Sequence, residues 1–265
     1  MGRGPHRSRR LIAALLLALL LTTACAAEPP PAARPISVTL PDATGYGRAG
    51  DLVYLEEIMG DAQPTARLPM LVLIHGRGDK PAHGWLRFAA PRPLRVIMPQ
   101  APLRFGGGFS WSHARVSETT GENAAELARD LSERADQIAD TIEILRKQRP
   151  TEGLPLAAGF SQGGMLSFTL AVRHPHAFRA LMPISGLLPE ALFPKAAPSA
   201  PLPPIRALHG TTDPLVPITG ARAAIDHLAQ TGYKAELREF ENVPHTISPA
   251  MLEAFNAWLG SSLKN

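Results

Sequence analysis

The sequence predicts an α/β protein with a mostly parallel central sheet and helices on both of its faces. Three observations lead there. Short apolar runs without polar alternation, such as Met70–Ile74 and Ala180–Ile184, read as strands buried on both sides. Segments of helical periodicity stand between these runs, not at one end of the chain. The chain has 265 residues, 45 % of them apolar, which suits one full-sized domain plus an extra segment. No internal repeat supports a solenoid.

The extra segment lies at the N-terminus. Arg3, Arg7, Arg9 and Arg10 precede an apolar run from Leu11 to Leu21, followed by Thr22, Thr23, Ala24 and Cys25. A positive start, a short apolar middle and a small-residue end describe a signal peptide over residues 1–24. The apolar run is about half of the ~20 residues that a bilayer-spanning helix needs. Cys25 is the only cysteine, so an intrachain disulfide is excluded. Leu21-Thr22-Thr23-Ala24-Cys25 resembles a bacterial lipobox, whose cysteine is lipidated and becomes the first residue. Thr22 stands where a larger aliphatic residue is usual. Ala24-Cys25-Ala26 also reads as an A-x-A cleavage site. The first route yields a cell-envelope lipoprotein held to the membrane through Cys25, the second a periplasmic or secreted protein. Residues 25–36 carry Pro29, Pro30, Pro31 and Pro35 among alanines and read as a stiff tether. The folded domain is then 37–265.

The leader also explains the charge. The chain carries 27 basic and 23 acidic residues, a net +4. Setting aside the four leader arginines leaves 23 of each sign, so no basic surface points to nucleic acid.

Within the domain, Val38–Leu40 and Leu52–Ile58 read as early strands of antiparallel type. Met70–Ile74 and Leu94–Met98 read as buried strands. Leu127, Leu131, Ile138, Ile142 and Leu145 form one stripe of a helix over 122–148, which Pro150 stops. A strand at 154–158, a helix at 162–173 and strands at 180–184 and 205–208 follow. A helix at 218–231, a strand at 236–240 and a helix at 249–259 complete the pattern. The proline- and alanine-rich stretch 187–204 reads as surface loop, with Leu187, Leu188, Leu192 and Phe193 as a small lip on the site.

Gly159-Phe160-Ser161-Gln162-Gly163-Gly164 lies between a strand and a helix. That context marks a nucleophile elbow and, with it, the α/β-hydrolase fold. Glycines permit a turn that lifts the Ser161 hydroxyl above the sheet edge. The turn also aims a helix N-terminus at the reacting atom, where negative charge develops. A serine needs an adjacent base, itself oriented by a third group. In this fold the three come in the order Ser, Asp, His. Asp213 follows a strand within His209-Gly210-Thr211-Thr212-Asp213-Pro214, and His245 follows the 236–240 strand by a short loop. Asp226 and His227 sit inside a helix, and His174 and His176 flank Pro175 at a helix end. The oxyanion hole is assigned to the backbone N–H groups of Gln162 and of Arg77, in His75-Gly76-Arg77-Gly78-Asp79. The Arg77 side chain either covers the entrance or lies in water. His75 reads as structural.

These blocks resemble the phospholipase/carboxylesterase group of α/β-hydrolases, which includes the acyl-protein thioesterases. The resemblance is carried by LVLIHGRGD, His83-Gly84-Trp85, PQAP at 99–102, Trp111, AAGFSQGG, HGTTDPLVP and HTISP. It implies cofactor-free hydrolysis of carboxylic esters or thioesters, lysophospholipids included, by Ser161, His245 and Asp213. Trp85, Trp111, Leu187, Leu215 and Val216 are the pocket candidates. Arg77 in place of an apolar residue, an extra residue before His83, Pro244 in place of glycine and Gly106–Gly108 depart from the pattern. These changes surround the acyl pocket. With no room for a large cap domain, and with neither Arg77 nor the triple glycine adding an apolar wall, short to medium acyl groups are expected.

No H-E-x-x-H, P-loop or dinucleotide fingerprint is present, so neither metal nor nucleotide is expected. The alternatives are a secreted feruloyl esterase or polyester depolymerase and, from another class, a non-catalytic lipoprotein that binds through the same fold. A complete triad argues against the last.

Overall fold

The structure is a computed structural model that describes residues 1–2, 38–114, 122–196, 199 and 201–264. Residues 3–37, on which Cys25, the tether and nearly all of the expected signal peptide fall, lie outside the described residues. No helix among the described residues is long and apolar enough to cross a membrane.

The domain opens on β1 (Val38–Thr39), β2 (Tyr46–Ala49) and β3 (Leu52–Met59), which pair antiparallel in sequence. β4 (Met70–Ile74) and β5 (Leu94–Pro99) follow, then a separate hairpin of β6 (Leu103–Phe105) and β7 (Gly108–Ser110). α1 (Glu122–Gln148) leads to β8 (Leu156–Phe160), α2 (Gln162–Arg173) and β9 (Ala180–Ile184). A 3-10 turn at Glu190–Leu192 precedes β10 (Ile205–Gly210), α3 (Ile218–Gln230), β11 (Ala235–Phe240) and α4 (Pro249–Ser262). The nine-stranded sheet runs β1-β2-β3-β5-β4-β8-β9-β10-β11. It is antiparallel as far as the β3–β5 pair and parallel from there on.

The alternation of side chains along β4 explains why its run is continuously apolar. Met70, Val72 and Ile74 point into one core with Leu131 and Ile138 of α1, Phe168 of α2 and Leu228 of α3. Leu71 and Leu73 point into the other, against Met251, Phe255 and Trp258 of α4. A strand with a core on each face has no solvent side on which to place polar residues.

Two differences from the expected elements have a local cause. β8 begins after Pro155, which has no N–H for the ladder, and runs through Gly159 and Phe160 up to the turn. β2 was not expected, because Tyr46-Gly47-Arg48-Ala49 carries little apolar signal. It forms because Gly47 passes under the Tyr54 ring, where a Cβ would meet Tyr54 at 2.8 Å and the Thr39 carbonyl at 2.7 Å.

β5 holds a charge inside its apolar run. Arg95 is 0 % exposed. Its Nε donates to Glu56 Oε1 at 2.9 Å, and its other nitrogens donate to the carbonyls of Pro150 and Pro64. Arg149, just beyond α1, shares the Glu56 carboxylate. Glu56→Ala would strand the Arg95 guanidinium in the core, so urea denaturation should show a loss of about 3–5 kcal/mol. A loss below about 1 kcal/mol would mean that the buried charge does not depend on Glu56.

Candidate active site

Ser161 stands between the end of β8 and the start of α2, at φ 58° and ψ −118°. A non-glycine residue holds such a conformation only when its surroundings enforce it, at a cost of about 1–3 kcal/mol. Here the enforcement is steric and hydrogen-bonded. A Cβ on Gly159 would meet the Gly163 carbonyl oxygen at 2.3 Å, and one on Gly163 would meet the Ile74 carbonyl oxygen at 1.9 Å. With both absent, α2 packs directly on β8 and β4. The Ser161 N–H donates to Ile184 O at 3.0 Å, and its carbonyl accepts from Met165 N at 3.0 Å.

His245 and Asp213 arrive from the loops after β11 and β10. Gly210 brings these loops together, since a Cβ there would meet Val243 O at 2.1 Å. His245 Nδ1 lies 2.7 Å from Asp213 Oδ2, and its Nε2 lies 2.9 Å from Ser161 Oγ. A carboxylate can only accept, so Nδ1 carries the proton and Nε2 is left to accept from the serine hydroxyl. The Phe160 ring lies against the imidazole at 4.7 Å between centroids.

The Asp213 carboxylate is buried and well supplied with donors. Oδ1 accepts from the N–H groups of Leu215 and Val216, both at 2.9 Å. Burial works to raise its pKa. Hydrogen bonds from His209, His245 and Val216 outweigh that and hold it well below the usual carboxylate range.

A cleft of about 430 Å³ opens above Ser161. Arg77 and Gln162 line it, together with Leu215 and Val216 of the pocket candidates. The Arg77 guanidinium is on the cleft wall, 4.2 Å from the centroid of Phe105, and donates to His113 O at 3.3 Å. Three expected pocket residues lie elsewhere. Trp111 is fully buried, its indole donating to His75 O and its backbone N–H to Gln162 Oε1. Trp85 donates to the Asp79 carboxylate and borders a different cavity, of about 240 Å³. Leu187 borders a third cavity, of about 450 Å³, against Gly220, so it forms no lip on the Ser161 cleft.

Phe105, Phe160, Met165 and Ala114 line the cleft without having been predicted. Met165 was legible as the residue one helical turn beyond Ser161. Phe105 was not, because it depends on the β6–β7 hairpin. Of the three glycines, Gly106 and Gly107 are the turn of that hairpin and Gly108 opens β7. A Cβ on Gly108 would meet Gly78 O at 2.4 Å, so its absence lets the hairpin dock on the 76–79 loop. Gly78 N donates to Phe109 O at 2.7 Å and Phe109 N to Asp79 O at 2.9 Å. The docked hairpin brings Phe105 into the wall with Arg77 on its ring. The expectation that these departures add no apolar wall is thereby corrected.

Two polar side chains brace the rim. Gln162 accepts from Ser110 Oγ and Trp111 N through Oε1 and donates to Ser112 O, tying α2 to the 110–112 segment. His75 Nε2 accepts from Ala101 N, so its proton is on Nδ1, which donates to Gly76 O. Burial lowers its pKa and keeps it neutral, in line with a structural role. Among the described residues, no group of His, Cys, Asp and Glu is placed to hold a metal ion.

Comparison with known proteins places these features in a wider set. The model of the family described as Phospholipase/Carboxylesterase matches residues 56–263. The chain is 26 % identical over 216 residues to "Acyl-protein thioesterase 1 homolog 1" of Dictyostelium discoideum, covering 75 % of this chain and 92 % of that one. Among solved structures it resembles the Bacillus cereus carboxylesterase, at a TM-score of 0.62 and 16 % identity, covering 79 % and 94 %. It also resembles Zea mays acyl-protein thioesterase 2, at 0.59 and 22 %, covering 78 % and 98 %. At these identities the two structures show the α/β-hydrolase fold and nothing finer.

The depressed pKa of Asp213 carries a sign for stability. A carboxyl group whose folded pKa lies below its unfolded value stabilises the fold at neutral pH, and that contribution is lost as pH falls below about 4. Asp213→Asn should therefore lower the urea midpoint at pH 7, by the equivalent of about 1–2 kcal/mol. The gap from wild type should begin to narrow as the titration moves from pH 5 towards pH 3. A gap constant across that range would show that Asp213 contributes nothing through its charge.

Proposed function

The chain belongs to the phospholipase/carboxylesterase family of serine hydrolases, and on that premise we propose that it hydrolyses short- to medium-chain carboxylic esters through an acyl-enzyme on Ser161. One observation carries the reading: the continuous relay from Ser161 Oγ through the His245 ring to the buried Asp213 carboxylate. As the serine oxygen bonds to the ester carbonyl carbon, its proton passes to His245 Nε2. The carbonyl electron pair moves to its oxygen, where the N–H groups of Gln162 and Arg77 stabilise it. Asp213 holds the imidazolium in place. Collapse breaks the bond to the alcohol, which leaves with the proton from Nε2. Water then attacks the acyl-enzyme with His245 again as base. The carboxylic acid departs and Ser161 regains its proton.

The substrate range is read from the cleft. Phe105, Met165, Leu215 and Val216 give it apolar walls, and among the described residues no large cap closes it. Each CH₂ buried on those walls contributes about 0.8 kcal/mol, and methylenes beyond the cleft contribute little. Thioesters and lysophospholipids offer the same carbonyl to the same serine. An exported protein held to the cell envelope through a lipidated Cys25 would meet such substrates outside the cytoplasm. The leader and the single cysteine support that placement.

Ser161→Ala should leave the fold intact and lower kcat by a factor on the order of 10⁴ or more. With p-nitrophenyl esters, kcat/KM should peak at butyryl to octanoyl and fall towards palmitoyl, with no rate jump at the substrate's micelle threshold. A steady rise to palmitoyl would overturn the acyl range, and higher efficiency on methyl ferulate would favour an aromatic-ester hydrolase. Near-normal turnover by Ser161→Ala would overturn the nucleophile. For the anchor, Cys25→Ser should move the protein from the membrane to the soluble exported fraction or block processing. An unlipidated wild-type N-terminus at Ala27 would show plain secretion.

A further inference from the structure

His209 lies outside the proton relay, yet it is buried beneath it. It is the next-to-last residue of β10 and is 1 % exposed. Its Nε2 lies 2.8 Å from Val216 O and 3.5 Å from Asp213 Oδ2. A carbonyl oxygen can only accept, so Nε2 carries a proton. That N–H points into the gap between the Val216 carbonyl and the Asp213 carboxylate. The Val216 N–H in turn donates to Asp213 Oδ1. The imidazole and the carboxylate thus hold the two sides of the Val216 peptide, and the 3.5 Å approach of Nε2 to Oδ2 completes the circuit across the turn that follows β10.

We infer that His209 is a positioning residue for the ester hydrolysis proposed above: its Nε2–H locks the 213–216 turn and so fixes Asp213 for His245 and Val216 for the cleft wall. The inference rests on the reading of Ser161 as the nucleophile. Two consequences separate this role from simple core packing. The first is chemical. The Asp213 carboxylate has two backbone donors on Oδ1 and His245 on Oδ2. His209 is a further donor facing Oδ2, and it draws charge away from the His245 contact. Without it, Asp213 should hold the protonated imidazole more strongly but less precisely aimed. The second is geometric. A turn freed from the Val216 carbonyl moves a catalytic carboxylate and a cleft wall together.

The charged groups around this circuit are few. Glu239 of β11 lies in register with His209 and is bound in a bidentate pair by Arg222 of α3, at 2.8 and 2.6 Å. Asp213 and His245 face it from the loops, and Arg77 and Asp79 line the cleft on the other side of Ser161. Glu239 and Arg222 neutralise each other, which leaves Asp213 as the anion that the imidazole N–H addresses.

The test compares His209→Phe, which keeps a ring without the donor, with His209→Gln, which restores an N–H near the Nε2 position. Both are assayed on p-nitrophenyl butyrate, with kcat counted per site titrated by a fluorophosphonate so that misfolded chains are excluded. His209→Phe should lower kcat by about 10- to 100-fold while KM changes by less than about threefold. The acid limb of its kcat/KM profile should move upward by a few tenths of a pH unit. His209→Gln should recover about tenfold of the lost kcat and return the limb towards the wild-type position. A phenylalanine variant with wild-type kcat and an unmoved acid limb would overturn the inference. So would a glutamine variant as slow as the phenylalanine one at normal melting temperature. If wild type itself does not hydrolyse the ester, it is the Ser161 reading that fails.

Discussion

The site depends on one close approach, that of the Gly163 Cα to the carbonyl of Ile74. With any side chain at 163, α2 could not lie against the end of β4, since even a methyl group would sit 1.9 Å from that oxygen. The approach forces the chain to reverse within a single residue between β8 and α2, and that residue is Ser161 in a left-handed conformation. Everything else in the site is referred to this point. The Ser161 hydroxyl stands above the carboxyl ends of the strands. The N-terminus of α2 lies beneath it, and the loops after β10 and β11 have only to converge on it from one side.

Buried polar groups follow from the same arrangement. A sheet with a core on each face leaves little solvent for a carboxylate, an imidazole or a guanidinium at its edges, so each must be answered by the protein. Asp213 is answered by two N–H groups and two imidazoles, and His75 by the Ala101 N–H and the Gly76 carbonyl. Gln162 is answered by the 110–112 segment, and Arg95, at the start of β5, by Glu56 and the carbonyls of Pro150 and Pro64. These partners fix orientation more than they add stability, because the same groups were hydrogen-bonded to water in the unfolded chain.

Much of this was legible in the sequence where one local rule acts. Apolar continuity gave Met70–Ile74 and Ala180–Ile184 with their observed bounds, and helical periodicity gave α1 and α2 in the same way. The convergence of Ser161, Asp213 and His245 was legible because chain order and end-of-strand position constrain them jointly. The pocket was not. Trp111 and Trp85 carry the signal of a binding residue, being large and aromatic. Their indole N–H groups are instead spent on His75 O and on Asp79. Phe105 carries no signal, because its place depends on Gly108 letting a hairpin touch the 76–79 loop. That is a contact between segments with no shared periodicity. Arg95 carries no signal of its burial inside an apolar run, since its partners come from β3 and from turns distant in sequence.

The claim on which the rest stands is that Ser161 is activated by its position and by His245. Peptide mass mapping after fluorophosphonate treatment of the folded protein addresses it directly. One adduct per chain, on the peptide bearing Ser161, is the expected result, with labelling slowed by orders of magnitude in His245→Ala. An adduct on another serine, or labelling of Ser161 at an unchanged rate in His245→Ala, would contradict it.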